Sequence, residues 1–326
     1  MSISTKIMLT FTIIVGLQVQ QVLSSSNFKM MITNGEPETY SGYSTLNLTW
    51  DECVDYCYDT TTCILVYEQV PSCLMFTIGQ ISSVRKAYAS LVAYKISINS
   101  SSDSCPSDDT SGENSYIVDN SLSVSTYQAY SVSYSNSSWT FTSSQMLYCP
   151  QDFSLFVRDK GPWCMKVIET STCVNQTDAS NAAVSSYSGV LSGLDSEDEF
   201  YQALAESVVI WQTSSVYPAY GFWVNGVRTS ACTSTTAKPV SKSATCNGTN
   251  EFTFTDPTLS SSPQGYVWFT NQPDGIKTTP TVSNCLYLRA NNATPCGIDD
   301  VLCANPTYNG STSICFKGYL CGLAPT

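Results

Sequence analysis

The chain opens on an apolar run, Ile7 to Leu17, behind Lys6 and ahead of the small polar cluster Ser24, Ser25 and Ser26. The run is too short to cross a bilayer, and its order of basic, apolar and small residues predicts a secretory signal over residues 1–24. No later stretch has the length and apolarity of a membrane span. In Trp50-Asp51-Glu52-Cys53-Val54-Asp55-Tyr56-Cys57 the cysteines stand at i and i+4, on one face of a short helix. Ile64 to Tyr67, Cys73 to Phe76 and Leu91 to Ile96 are β-branched, aliphatic and aromatic, and predict strands. From Asn99 the chain turns rich in Ser, Asn, Thr and Tyr. Ser100 to Ser104 reads as flexible linker, whereas Tyr127 to Phe141 alternates enough to predict short strands. Beyond Cys149, helices are predicted over Asp178 to Val184 and Ser196 to Ala205, the second with a serine to cap it and acids in its first turn. Short apolar runs, Gly221 to Gly226, Val267 to Phe269 and Cys285 to Leu288, stand between turn residues. The fold class is therefore α+β and disulfide-rich, in two domains joined by a connector.

Composition narrows the chemistry. Fifteen cysteines behind a signal segment predict an oxidising, extracellular destination. Seven Asn-x-Ser/Thr sequons, at Asn47, Asn99, Asn136, Asn175, Asn247, Asn292 and Asn309, predict a glycosylated surface. There is no histidine, so no Ser-His-Asp triad, Cys-His pair or His-ligated zinc site can form. No acid pair stands out from ordinary surface acids, and the chain is read as a binding protein, not an enzyme. A net charge of −12 leaves no footprint for nucleic acid, while carboxylates are the oxygen ligands Ca²⁺ prefers.

Residues 27–98 resemble the PAN/apple-like module, in the variant called the CW domain in nematode secreted proteins. The marks are Met31 to Glu38, Trp50 with Cys53 and Cys57, Cys63 to Tyr67, and Val92 to Ile96. Spacing alone leaves three pairings of the four cysteines open. The resemblance implies Cys57–Cys63 nested inside Cys53–Cys73, and contact with protein or carbohydrate. Residues 99–148 are the connector.

Residues 149–326 resemble a long-form C-type lectin-like domain in the order of seven pieces. These are Cys149 to Cys164, Leu191 to Leu194, Phe222 to Gly226, Gln272-Pro273-Asp274, Asn284 to Leu288, Ile298 to Cys303, and Gly318 to Gly322. The resemblance implies that Gln272, Asp274, Asp299 and Asp300 hold a Ca²⁺ ion and, through it, vicinal sugar hydroxyls, with galactose-type selectivity. A proline in a cis bond would fix the two side chains that flank it; an ordinary Gln-Pro-Asp-Gly turn is the competing reading. Ser283 stands where the family has a ligand glutamate, so only weak binding is expected. Trp268 is read as a sugar platform or, more simply, as a core residue.

The resemblance also implies Cys149–Cys164, Cys232–Cys246 and Cys285–Cys303. Val184 aligns where the family's helix cysteine pairs with the last one, so Cys173 becomes the candidate partner of Cys321. Cys296 and Cys315 are left open. Cys105, between the modules, is the odd cysteine and predicts a disulfide-linked dimer. The expected function is extracellular glycan recognition, the alternatives being a Ca²⁺-independent protein-binding module or a component of a secreted matrix.

Overall fold

Period-two alternation and β-branched runs shape most of the chain: twenty strands stand against three α-helices among the described residues. The computed structural model describes residues 28–97, 115–120, 122–213, 216–233, 243–278, 281–291, 296–310 and 312–326. The expected signal segment, the linker serines, Cys105 and the sequons at Asn99 and Asn292 lie outside these residues.

The first sheet is built from β1 (Phe28–Tyr40), β2 (Ser44–Leu46), β3 (Cys63–Gln69), β4 (Ser72–Thr77), β5 (Ile81–Ser97), β6 (Ser115–Asp119), β7 (Thr126–Ser135), β8 (Ser138–Ser143) and β9 (Leu147–Tyr148). Its order is β2-β4-β3-β5-β8-β7-β6, with β1 on β5 and β9 on β7. Helix α1 (Trp50–Asp59) starts at a reciprocal cap: the Thr49 amide donates to Glu52 Oε2 at 2.9 Å, and the Thr49 side chain meets the N3 amide. Cys53 and Cys57 share its buried face, and bridges Cys53–Cys73 and Cys57–Cys63 fasten it to β4 and β3.

The described part of the expected connector is folded sheet. Strands β6 to β9 extend the first module, and Trp139, with no exposed surface, packs on Tyr94 and Tyr134. Serine and threonine made the segment look polar. Tyr130, Val132, Trp139 and Phe141 nonetheless bury one face of it, and the hydroxyl residues take the other. Asn120 then joins this sheet to the next domain, its amide group donating to Leu155 O at 3.0 Å and its Oδ1 accepting from Leu155 N at 3.1 Å.

Lys95 is 3% exposed and donates to Thr60 O at 2.9 Å. Burial, opposed by Asp59, pulls its ammonium down to about 8 from 10.5. Between those values the unfolded chain holds a proton the folded one lacks, so stability should rise with pH across that window, by up to about 3 kcal/mol. Urea unfolding at pH 7.5 and 9.5 should show the rise, and Lys95→Met should flatten it.

The second sheet contains β10 (Ser154–Arg158), β11 (Gly161–Glu169), β12 (Val190–Leu191), β13 (Ala219–Arg228) and β14 (Phe252–Thr253). After a separate hairpin, β15 (Lys277–Thr278) and β16 (Thr281–Val282), it continues with β17 (Cys285–Ala290), β18 (Gly297–Val301), β19 (Thr307–Asn309) and β20 (Ser313–Leu323). The order is β10-β11-β20-β13-β17-β18, antiparallel except for β13 beside β20. Alternate residues of β13 serve two cores. Tyr220, Phe222 and Val224 pack with Phe200 and Ala203 of α3 (Glu197–Thr213). Ala219 and Trp223 pack with Ala179 and Ala183 of α2 (Gln176–Tyr187). Covered on both sides, the strand is buried at every position but one, which is why Tyr220 to Val224 reads as a continuous run with no charged or amide side chain. Asn175 caps α2, its Oδ1 accepting from the Asp178 amide at 2.8 Å.

Bridges Cys149–Cys164, Cys232–Cys246 and Cys285–Cys303 are closed. The expected Cys173–Cys321 bond is not: Cys173 pairs with Cys315, at a Cα separation of 5.4 Å. The Val174 amide donates to Phe316 O, so the segment ahead of α2 meets β20 near its start. Cys321 lies six residues further along that strand, roughly 20 Å away and beyond disulfide reach. There it pairs in register with Leu191 and Lys166, and burial pushes its free thiol up to about 12.

Candidate functional site

The long excursion between β13 and β17 carries the loop with Gln272, Asp274 and the proline between them. It is fastened first at its root. Asn225 donates to Leu191 O at 2.9 Å and accepts from Thr255 N at 2.8 Å. Arg158 forms ion pairs with Glu199 at 2.8 Å and Asp256 at 2.9 Å, all three side chains buried, and Asp256 also accepts from Gly193 N at 2.8 Å. Cys232–Cys246 ties a second stretch.

The third fastening starts from a bulge in β13. Pairing with β17 jumps from Trp223 to Val227, and Gly226 adopts φ +136°; a Cβ there would lie 2.6 Å from Leu286 Cδ1. The strand ends with the Arg228 side chain wholly buried. Its Nη1 pairs with Glu251, its Nη2 with Asp300 Oδ2 at 3.0 Å, and its Nε donates to Ser283 O at 3.0 Å. The guanidinium also lies over the Phe252 ring, 4.7 Å from its centre.

The structure joins Gln272, Asp274 and Asp300 by hydrogen bonds, while the Asp299 side chain bonds to Tyr287 and to the Asp300 amide. The Gln272–Pro273 bond is cis. The Asp274 amide donates to Gln272 Oε1 at 2.9 Å and to Asp300 Oδ1 at 2.8 Å, and the Gly275 amide donates to Asp300 Oδ2 at 3.0 Å. Asp274 Oδ1 accepts from the Ile276 amide at 2.9 Å. Asp299 lies on β18 opposite Tyr287, whose hydroxyl donates to its Oδ2 at 2.9 Å, while its Oδ1 accepts from the Asp300 amide at 2.7 Å. Burial pushes the Asp299 carboxyl up to about 7; the Tyr287 hydroxyl opposes this and the Asp300 and Asp274 charges add to it. Burial also raises Asp300, against the pull of Arg228 and of the two loop amides.

This set fits a hydrogen-bonding surface better than a Ca²⁺ cage. Both Asp300 oxygens are engaged by loop amides, one of them also by a guanidinium, and Ser283 contributes its carbonyl to Arg228. Among the described residues no three acid, cysteine or histidine side chains gather as a metal-binding group. Trp268 is half-buried at the edge of the core, where it stacks on Phe252 and Tyr266.

The sequence reading missed Arg228, Glu251, Arg158 and Asp256. The available signal was an arginine closing an apolar strand in a chain with few basic residues. Its partners are far off in sequence, and nothing in their spacing links them.

Comparison with known families agrees with this architecture. A PAN-like domain model matches residues 30–96, and the model of C-type lectin domain-containing protein 141/158 matches residues 157–324, just over half of the chain. A search of curated proteins finds no match. The chain, with a PAN-like domain ahead of a C-type lectin domain, therefore belongs to the C-type lectin domain-containing protein 141/158 family.

Proposed function

We propose that the protein is a secreted glycoprotein whose lectin domain binds an extracellular glycan directly, at the Gln272–Ile276 loop and the adjoining Asp299. The carrying observation is the pinned loop. Asp300 takes two consecutive amides, so the backbone is held while the part-exposed Gln272 amide group and Asp274 carboxylate offer donors and acceptors beside each other, with Asp299 near enough to feel the Asp274 charge. Such convergent polar groups suit the paired hydroxyls of a sugar. A glycan array probed in Ca²⁺ and again in chelator should give the same binding pattern, weakened by Gln272→Ala and by Asp299→Ala. A galactose-selective signal lost on chelation would instead favour the Ca²⁺-held site implied by the lectin resemblance. Retention only by proteins would favour a protein-binding module.

Secretion and glycosylation complete this reading. Among the described residues no helix is long and apolar enough to cross a membrane. The sequons at Asn47, Asn136, Asn247 and Asn309 are exposed. Asn175 caps α2 through Oδ1, which leaves Nδ2, the atom that carries a glycan, available. A disulfide-linked dimer through Cys105 would present two loops and raise avidity for clustered glycans. Non-reducing electrophoresis should show a dimer band that disappears in Cys105→Ser; a monomer in the wild type would sink the dimer.

A further inference from the structure

Three segments distant in sequence converge on the Arg228 guanidinium: Glu251 within the excursion just ahead of β14, the Ser283 carbonyl at its end, and Asp300 on β18. Asp300 passes the contact on to the amides of Asp274 and Gly275. A planar cation with a fork of donors suits this arrangement, since it can meet two carboxylates and a carbonyl in fixed directions. All three charged side chains have no exposed surface, so solvent cannot neutralise the two carboxylates.

We propose that Arg228 is a built-in cation for this loop: its guanidinium, paired with Asp300, holds that side chain against the Asp274 and Gly275 amides. The loop therefore holds its shape with no divalent metal. Arg228 is thus a positioning residue, acting on the loop through Asp300. The inference rests on the binding reading only for its biological use, and its test involves no ligand. Failure here leaves glycan recognition standing, and a blank glycan array leaves this inference standing.

The test is hydrogen exchange on the full secreted chain, following the amides of Asp274 and Gly275. In the wild type their protection should agree within about twofold between millimolar CaCl₂ and chelator. In Arg228→Gln the same amides should exchange faster by about tenfold or more, while those of the β3–β4 hairpin keep their protection. Tightening of the wild-type loop by Ca²⁺ would overturn the proposal, as would unchanged loop protection in Arg228→Gln. If that variant fails to fold, the wild-type comparison alone still decides.

Discussion

Replacing Arg158 with methionine is expected to destabilise the lectin domain by about 3–5 kcal/mol, the usual cost of breaking a buried ion pair by removing one partner. Glu199 and Asp256 would remain inside the protein with no counter-charge, since neither side chain has more than 1% exposure. Burial already pushes the Glu199 carboxyl up, and Arg158 is the chief group opposing it. Without the guanidinium the Glu199 carboxyl should be pushed up further, so the folded variant holds its proton more tightly than the unfolded chain and its stability falls as pH rises. The triple variant Arg158→Met with Glu199→Leu and Asp256→Leu should lose less than the single one, because buried charges replaced together leave nothing uncompensated. Urea titrations of the three proteins at pH 5 and pH 8 make the comparison. A single-variant loss under about 1 kcal/mol would show that the network does not anchor the loop root.

Removing the Cys173–Cys315 bridge, with both cysteines changed to alanine, is expected to cost about 4–5 kcal/mol by loop-closure entropy. This bridge joins residues 142 apart in sequence, the widest span of the six, and it holds the segment ahead of α2 against β20. Cys321→Ser should behave differently. It changes one buried thiol, leaves every bridge intact, and should cost far less than the bridge variant. Peptide mapping under non-reducing conditions separates the two pictures at the covalent level. A Cys173–Cys315 peptide is expected, and a Cys173–Cys321 peptide would refute the assignment.

These effects mark where the sequence was readable and where it was not. The helix bearing Cys53 and Cys57, the strands at Ile64, Cys73 and Cys285, and the capped start of α3 are local features, set by periodicity and end signals within a dozen residues. Strands β7 and β8 were harder because serine and threonine fill their outer face. Hydrophobic contrast is weak there, and the aromatic residues carry the signal alone. The partner of Cys173 was misjudged because the order of cysteines along the chain says nothing about position along a strand. Cys315 and Cys321 share β20 and stand at different levels of it. In the same way Gln272, Asp274, Asp299 and Asp300 were legible as candidates, but not that Asp300 joins Gln272 and Asp274 while Asp299 bonds to Tyr287. Asp300 serves the loop because of an arginine that enters from β13, a contact made only by the fold.

The most direct test of the account is glycan binding by the intact secreted protein, first in Ca²⁺ and then in chelator, with Asp299→Ala alongside. Binding that persists in chelator and fades in the variant is the result predicted. Binding by the wild type that disappears on chelation and returns with added Ca²⁺ would contradict it.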